Sequence, residues 1–167
     1  YNRIAIYKSK KDTVPQTVIN VDDWSEAVDD VYLQDGQEVR IARFYRIINL
    51  APDGSKLRLY IGFATNKDNF KFCFPTEIGK ELFDKFGIVP QICYADDNDK
   101  EIAKIQVESW DRHCQWAAKT MKYLMEKQNS SLVYSHMHSV DLFGHLFMRK
   151  IIECRRPDDY QDRKSVV

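Results

Sequence analysis

The chain has 167 residues, 44% of them hydrophobic and 13% aromatic, which is enough apolar content for one domain or two small lobes. This composition excludes an intrinsically disordered chain. The 25 Lys and Arg residues balance the 25 Asp and Glu residues, so neither nucleic acid nor an anionic membrane is predicted as a partner. No apolar run approaches the roughly 20 residues of a membrane-spanning helix, and no signal peptide is recognisable, although a chain that begins at Tyr1 leaves upstream sequence open.

Four β-strands are predicted in the N-terminal part of the chain. They cover Arg3 to Tyr7, Thr17 to Val21, Val39 to Leu50 and the alternating stretch Leu57 to Phe63, whose odd-numbered apolar residues predict a half-buried strand. The turn sequence Pro52-Asp53-Gly54 lies between the last two strands and predicts an antiparallel hairpin.

Helical patterns dominate the C-terminal part. Thr76 is a predicted cap for a short helix that ends at Gly87. A long helix follows from about Lys100 to Lys127, with a buried stripe of apolar residues every three or four positions: Ala103, Val107, Trp110, Cys114, Ala117, Met121 and Leu124. Leu132 to His136 is a predicted strand, buried on both faces and followed by a loop and a helix.

These elements predict an α/β fold, α+β over the whole chain, with a boundary where the character of the sequence changes. Residues 1–72 form the predicted β-rich lobe and residues 73–167 the predicted α/β segment. The four cysteines stand 20 to 40 residues apart without a C-x-x-C pair, which argues against a zinc ribbon and a disulfide scaffold, so free thiols are expected at Cys73, Cys93, Cys114 and Cys154.

Three of the four histidines and one carboxylate lie between His136 and His145, the greatest concentration of potential ligands in the chain. Asp141 and His145 are four residues apart, which places both on one face of a first helical turn. A carboxylate and an imidazole are suitable ligands for zinc or a similar divalent ion. Because Gly144 has no side chain, another group can come close to the backbone at this position.

Two protein ligands do not complete a zinc site, because catalytic sites normally use three and structural sites four. His136 and His138 lie on one face of the predicted strand and offer several roles. Three roles are open to each of them: a further metal ligand, a contact with substrate, or a hydrogen-bond partner that orients Asp141 without touching the metal. An ordinary structural role for both histidines is an equal alternative.

The five residues Asp141-Leu142-Phe143-Gly144-His145, after an apolar stretch, resemble the second metal-binding motif of type I phosphodiesterases and nucleotide pyrophosphatases in the alkaline phosphatase superfamily. The order of a β-rich hairpin, a proline-led helix, a long helix and a buried strand is also similar to predicted phosphohydrolases of this superfamily. The resemblance implies a segment of an alkaline-phosphatase-like α/β core with a β-rich insert or cap lobe. It further implies that Asp141 and His145 bind one of two divalent metals, commonly zinc, with manganese as an option.

The resemblance also implies a larger enzyme. The family's upstream Asp ligand, its Thr or Ser nucleophile and its downstream Asp-His pair with a further His have no recognisable counterpart in this chain. The catalytic nucleophile is therefore unknown, and we expect a fragment that is inactive alone. Its implied partners are the remainder of the parent chain and a small phosphorylated substrate or nucleotide.

Two other hypotheses stay open. One is a non-catalytic interaction or substrate-binding module whose contact surface includes Arg40, Arg43, Tyr45 and Arg46 on an outer strand. The other is a self-contained metal site built from His136, His138, Asp141 and His145. Four ligands within ten residues and no distant partner rarely complete a tetrahedron, which argues against that site.

Overall fold

The computed structural model describes residues 1–93, 100–138, 141, 144–145 and 148. The chain divides into two compact units, Tyr1–Ser131 and Leu132–Val167. The division lies after Ser131, and the predicted boundary between residues 72 and 73 falls inside the first unit.

The described part of the first unit is a mixed α and β structure with three small antiparallel sheets. Its strands and helices, in chain order, are β1 (Arg3–Ile6), β2 (Thr17–Asn20), β3 (Val28–Gln34), β4 (Gln37–Arg43), β5 (Tyr45–Leu50), β6 (Leu57–Ile61), β7 (Thr65–Asn66), α1 (Thr76–Phe86) and α2 (Lys100–Gln128). The sheets pair β1 with β2, β4 with both β3 and β7, and β5 with β6. The coarse prediction of an α+β chain is confirmed.

The hairpin of β3 and β4 turns at Asp35 and Gly36, which both have positive φ, 53° and 77°. A two-residue Asp-Gly turn of this kind matches the natural twist of paired strands. β3 was not predicted from the sequence, because its residues Val28–Gln34 show no regular apolar alternation, and only Val28 among them is buried. The predicted strand from Val39 to Leu50 is divided at Phe44 between two sheets.

The predicted hairpin around Pro52-Asp53-Gly54 is confirmed by the antiparallel pairing of β5 with β6. The predicted buried face of β6 is wrong, because Leu57 and Ile61 are exposed. Tyr60 on the opposite face packs edge-on against Trp24, with 5.6 Å between ring centroids. Burial raises the pKa of Tyr60 to about 12.

Helix α1 ends as predicted before Gly87, whose φ of 74° is easily adopted by glycine. The predicted cap is wrong: Pro75 occupies the N-cap position, and no side chain there bonds to the first turn. Glu81 of α1 accepts hydrogen bonds from Tyr123 and Lys127 of α2, which fastens the two helices together.

Helix α2 has the predicted extent, and most of the predicted stripe faces inward: Trp110 is buried, and Ala103, Cys114, Ala117, Met121 and Leu124 are partly buried. The prediction is wrong at Val107, which is half exposed, while Ile102 and Ile105 are buried in the first turns. α2 packs against both β5 and α1, and the segment before the helix adds one hydrogen bond. That segment donates the Cys93 backbone N–H to Ser109 Oγ at 2.9 Å. Among the described residues, no helix combines the length and apolarity needed to cross a bilayer.

A buried ion pair joins β5 to α2. Arg46 is 2% exposed, and its Nε and Nη2 atoms donate to the two carboxylate oxygens of Glu108 at 2.9 and 3.1 Å. Trp24 Nε1 donates to the same carboxylate at 2.8 Å. This bidentate geometry satisfies a guanidinium that would otherwise be buried at high cost.

The second unit begins with Leu132 to His138, and no strand is formed there. Leu132 is 84% and Tyr134 89% exposed, so the predicted strand buried on both faces is wrong.

Replacing the Glu108 carboxylate is expected to destabilise the fold. Glu108→Ala leaves Arg46 buried without its main partner, and we expect the free energy of unfolding to fall by about 3 kcal/mol. The matched control is Glu126→Ala on the same helix, where an exposed pair with Lys122 at 3.9 Å should contribute no more than about 0.5 kcal/mol. Urea unfolding followed by circular dichroism measures both, and equal losses would contradict this role of Glu108.

The contribution of Glu108 should also depend on pH. Burial, the largest single influence, acts to raise its pKa, but hydrogen bonds from Arg46 and Trp24 together with nearby positive charges outweigh burial and leave the pKa below its ordinary value of 4.5. A lowered folded pKa means that the stabilisation is complete above pH 4.5 and is lost as pH falls through the folded pKa.

We therefore expect the difference in unfolding free energy between the wild type and Glu108→Gln to be largest near neutral pH and to shrink below pH 4.5. Urea titrations at a series of pH values give this difference directly. A gap that widens on acidification would show that the sign is wrong.

Candidate functional site

The predicted pairing of Asp141 with His145 is present in the second unit. Both residues, and Gly144 between them, have helical conformation. Asp141 Oδ1 lies 3.4 Å from His145 Nε2, as expected for side chains one turn apart on the same face. Leu142 and Phe143 in the middle of the motif lie outside the described residues.

A second imidazole approaches the other oxygen of the same carboxylate. His138 Nδ1 lies 3.8 Å from Asp141 Oδ2. The ring of His136 stacks on that of His138 with centroids 4.0 Å apart and planes inclined by 33°. The structure thus brings together all four residues singled out in the sequence, in the order His136, His138, Asp141, His145.

These side chains are accessible to a ligand. His138 is 55%, Asp141 63% and His145 76% exposed, so their mutual attraction is weakened by solvent and contributes little to stability. The backbone at Gly144 is open as well, because a Cβ atom built there would meet nothing within 4 Å. No close backbone approach to Gly144 is therefore present among the described residues.

The chemistry of these donors fits a divalent metal in part. Carboxylate and imidazole are typical zinc ligands, and His145 and Asp141 are already side by side. However, no group of three or more His, Cys, Asp or Glu side chains in the described part of the chain is arranged to hold a metal ion. The four clustered residues therefore do not support the hypothesis of a self-contained site.

Of the strand residues in the hypothesis of a contact surface, Arg46 is buried, whereas Arg40 is exposed and Arg43 and Tyr45 are partly exposed. Arg40 donates through Nε to Asp68 Oδ2 at 2.9 Å. The Nε atom of Arg43 is buried, and Arg46 is held inside the fold by Glu108. Arg46 is therefore not available to the hypothetical interaction surface that also includes Arg40, Arg43 and Tyr45.

One residue of interest was not identified from the sequence. Arg112 of α2 lies between two aromatic rings, with its guanidinium carbon 4.7 Å from the ring centroids of both Trp24 and Phe44. The sequence signal was only that Arg112 stands one helical turn after Glu108. Its aromatic neighbours come from distant parts of the chain, so only the fold shows this arrangement.

Three of the four cysteines lie among the described residues. Cys73, Cys93 and Cys114 are free, which confirms that part of the cysteine prediction, and Cys154 lies outside the described residues. Burial raises the pKa of the Cys73 and Cys93 thiols, which lowers their thiolate fraction and makes them poor nucleophiles.

No family model, curated protein or solved structure matches this chain. The resemblance to the alkaline phosphatase superfamily therefore depends on the five-residue motif, because the buried strand that completed the predicted order of elements is not formed. The mixed α and β architecture described above comes from the structure alone.

Cys93 should be the slowest of the three described thiols to react with a thiol-specific reagent. It is 3% exposed, and burial raises its pKa, so at pH 8 both access and thiolate fraction are reduced. We expect alkylation of Cys73 and Cys114 in the folded protein and of Cys93 only after denaturation, as measured by peptide mass spectrometry. Rapid labelling of Cys93 without unfolding would contradict its burial.

Proposed function

We propose that this chain is part of a metal-dependent phosphohydrolase or phosphodiesterase of the alkaline phosphatase superfamily, in which Asp141 and His145 hold one of two divalent ions. The observation that carries the proposal is the pairing of Asp141 with His145, 3.4 Å apart and exposed within the D-x-x-G-H motif. Zinc is the preferred ion for this donor pair, with manganese as the alternative.

The neighbouring histidines support the same site. With one imidazole against each carboxylate oxygen, His138 can hold Asp141 in a fixed orientation while His145 and Asp141 bind the ion. His136 stacks on His138 and limits the rotation of its ring. We assign His138 and His136 to orientation of the ligand or contact with substrate rather than to the metal.

The remaining ligands and the nucleophile belong to the rest of the parent protein. Two protein ligands are fewer than the three of a catalytic zinc site, and this agrees with the lack of a larger ligand group among the described residues. When bound, the two ions would stabilise the developing charge on the phosphoryl group of a small phosphorylated substrate or nucleotide. The β-rich part of the first unit would be an insert or cap on an alkaline-phosphatase-like core.

The alternative of a non-catalytic interaction or substrate-binding module has weaker support. Its strand surface loses Arg46 to the buried pair with Glu108, and Arg40 is engaged by Asp68. The half-site at Asp141 and His145 has the more favourable geometry and exposure.

The proposal predicts a specific loss of metal binding. Asp141→Ala/His145→Ala should weaken zinc binding to the chain by at least about 100-fold, and His138→Ala by about tenfold if it only orients Asp141. Isothermal titration calorimetry with zinc and with manganese measures both effects. The control is Asp111→Ala, which removes an exposed carboxylate on α2 and should leave zinc affinity unchanged.

Hydrolysis of a generic phosphodiester is measured in parallel with the parent protein that contains this segment. We expect turnover by the parent, its loss in the double variant, and none by the segment alone. Zinc binding that survives the double substitution, or a parent that hydrolyses nothing, would leave the interaction module as the better explanation.

A further inference from the structure

A basic groove lies within the first unit, between the C-terminal end of α1 and the middle of α2. Its volume is about 460 Å³, which is in the range of sites for small molecules. Three cationic side chains line it, Lys85, Arg112 and Lys119, against the single carboxylate of Glu26. The lining therefore attracts anions.

A neighbouring cavity of about 490 Å³ shows that this charge is not a general feature of the surface. It is lined by three cations and three carboxylates, which are paired as Arg40 with Asp68, Lys67 with Asp29 and Lys80 with Asp84. In the basic groove, none of the three cations forms an ion pair within 4.0 Å of a described carboxylate. The two cavities differ in charge compensation rather than in size.

Arg112 is the most unusual of the groove's cations. Its guanidinium is held between the rings of Trp24 and Phe44, and its Nη1 atom is buried without a hydrogen-bond partner among the described residues. Burial lowers the pKa of Arg112, although Glu26 and Glu108 act in the opposite direction. The guanidinium packs on the two rings and lines the groove, and an anion in the groove would compensate its charge.

The walls of the groove include a flat apolar surface beside these charges. Trp116 Nε1 donates to the carbonyl oxygen of Gly87 at 3.2 Å, which holds the indole against the end of α1. Phe86 lies next to it in the lining. Lys85 extends over Tyr123, with 4.2 Å between its Nζ atom and the ring centroid. A planar ring can pack against Trp116 while an attached anionic group meets the cations.

We propose that the basic groove binds a small organic anion, a phosphate or carboxylate carried by a planar ring, with Arg112 and Lys119 at the anionic group and Trp116 at the ring. This site is separate from the metal ligands, and it stands whether or not Asp141 and His145 bind an ion. Both anionic groups have the same chemistry towards a guanidinium, since each accepts two parallel hydrogen bonds.

The test is calorimetric titration of the chain in EDTA with adenosine monophosphate, adenosine, inorganic phosphate and benzoate. EDTA removes any contribution from a metal at Asp141 and His145. We expect the monophosphate or benzoate to bind, adenosine not to bind and inorganic phosphate to bind more weakly. Binding by the monophosphate identifies a phosphate ligand and binding by benzoate a carboxylate ligand, and either supports the site.

Substitutions in the groove test whether the ligand binds there. Lys85→Ala/Lys119→Ala changes two exposed side chains and should weaken binding by about tenfold or more, whereas Lys122→Ala on the outer face of α2 should have no effect. Arg112→Gln should abolish binding in a protein whose thermal unfolding shows that it is folded. Affinity should also fall as NaCl is raised from about 50 to about 500 mM, because salt screens the cations.

Three results would overturn the proposal. One is the lack of heat from all four ligands at about 10 mM, well above the affinity range of specific small-molecule sites. Another is binding that the Lys85 and Lys119 substitutions leave unchanged. The last is an equal loss with Lys122→Ala, which would indicate attraction by overall charge rather than a site.

Discussion

The bidentate ion pair between Arg46 and Glu108 is the constraint on which the first unit depends. A guanidinium that is 2% exposed requires a carboxylate at a fixed position, and α2 supplies it 62 residues later in the chain. Trp24 donates to the same carboxylate, so three distant segments meet at one group. Removing either charge leaves the other poorly compensated, which makes the packing of α2 on β5 specific as well as favourable.

This network also builds the basic groove. Trp24 bonds to Glu108 through its indole nitrogen and stacks its ring on Arg112, one helical turn further along α2. The register that pairs Glu108 with Arg46 thus also places Arg112 between Trp24 and Phe44. The α1 end of the groove is fixed separately, by the bond from Trp116 to Gly87. The Arg112 side of the groove is therefore held by the core, whereas Lys85 and Lys119 are exposed side chains at its rim.

The described residues of the two units differ in how their polar and apolar side chains are partnered. In the first, exposed cations such as Arg40 and Lys67 have carboxylate partners, whereas the lining of the basic groove has excess positive charge. In the second, a carboxylate and its neighbouring imidazoles are exposed, and Leu132 and Tyr134 are exposed as well. Our proposal explains both features of the second unit by contacts with the rest of a larger enzyme, which would provide further ligands and a sheet.

The sequence by itself determined the local structure and the local chemistry. Turn residues and helical periodicity predicted the β5–β6 hairpin, α1 and the extent of α2, because these depend on neighbours close in the chain. The spacing of Asp141 and His145 predicted their side-by-side position for the same reason. Only the tertiary structure decided which faces are buried, as Ile61, Val107 and Leu132 show, because burial depends on what packs against each element. The Arg46 pair and the Arg112 groove likewise join residues far apart in the chain, and no local pattern encodes such meetings.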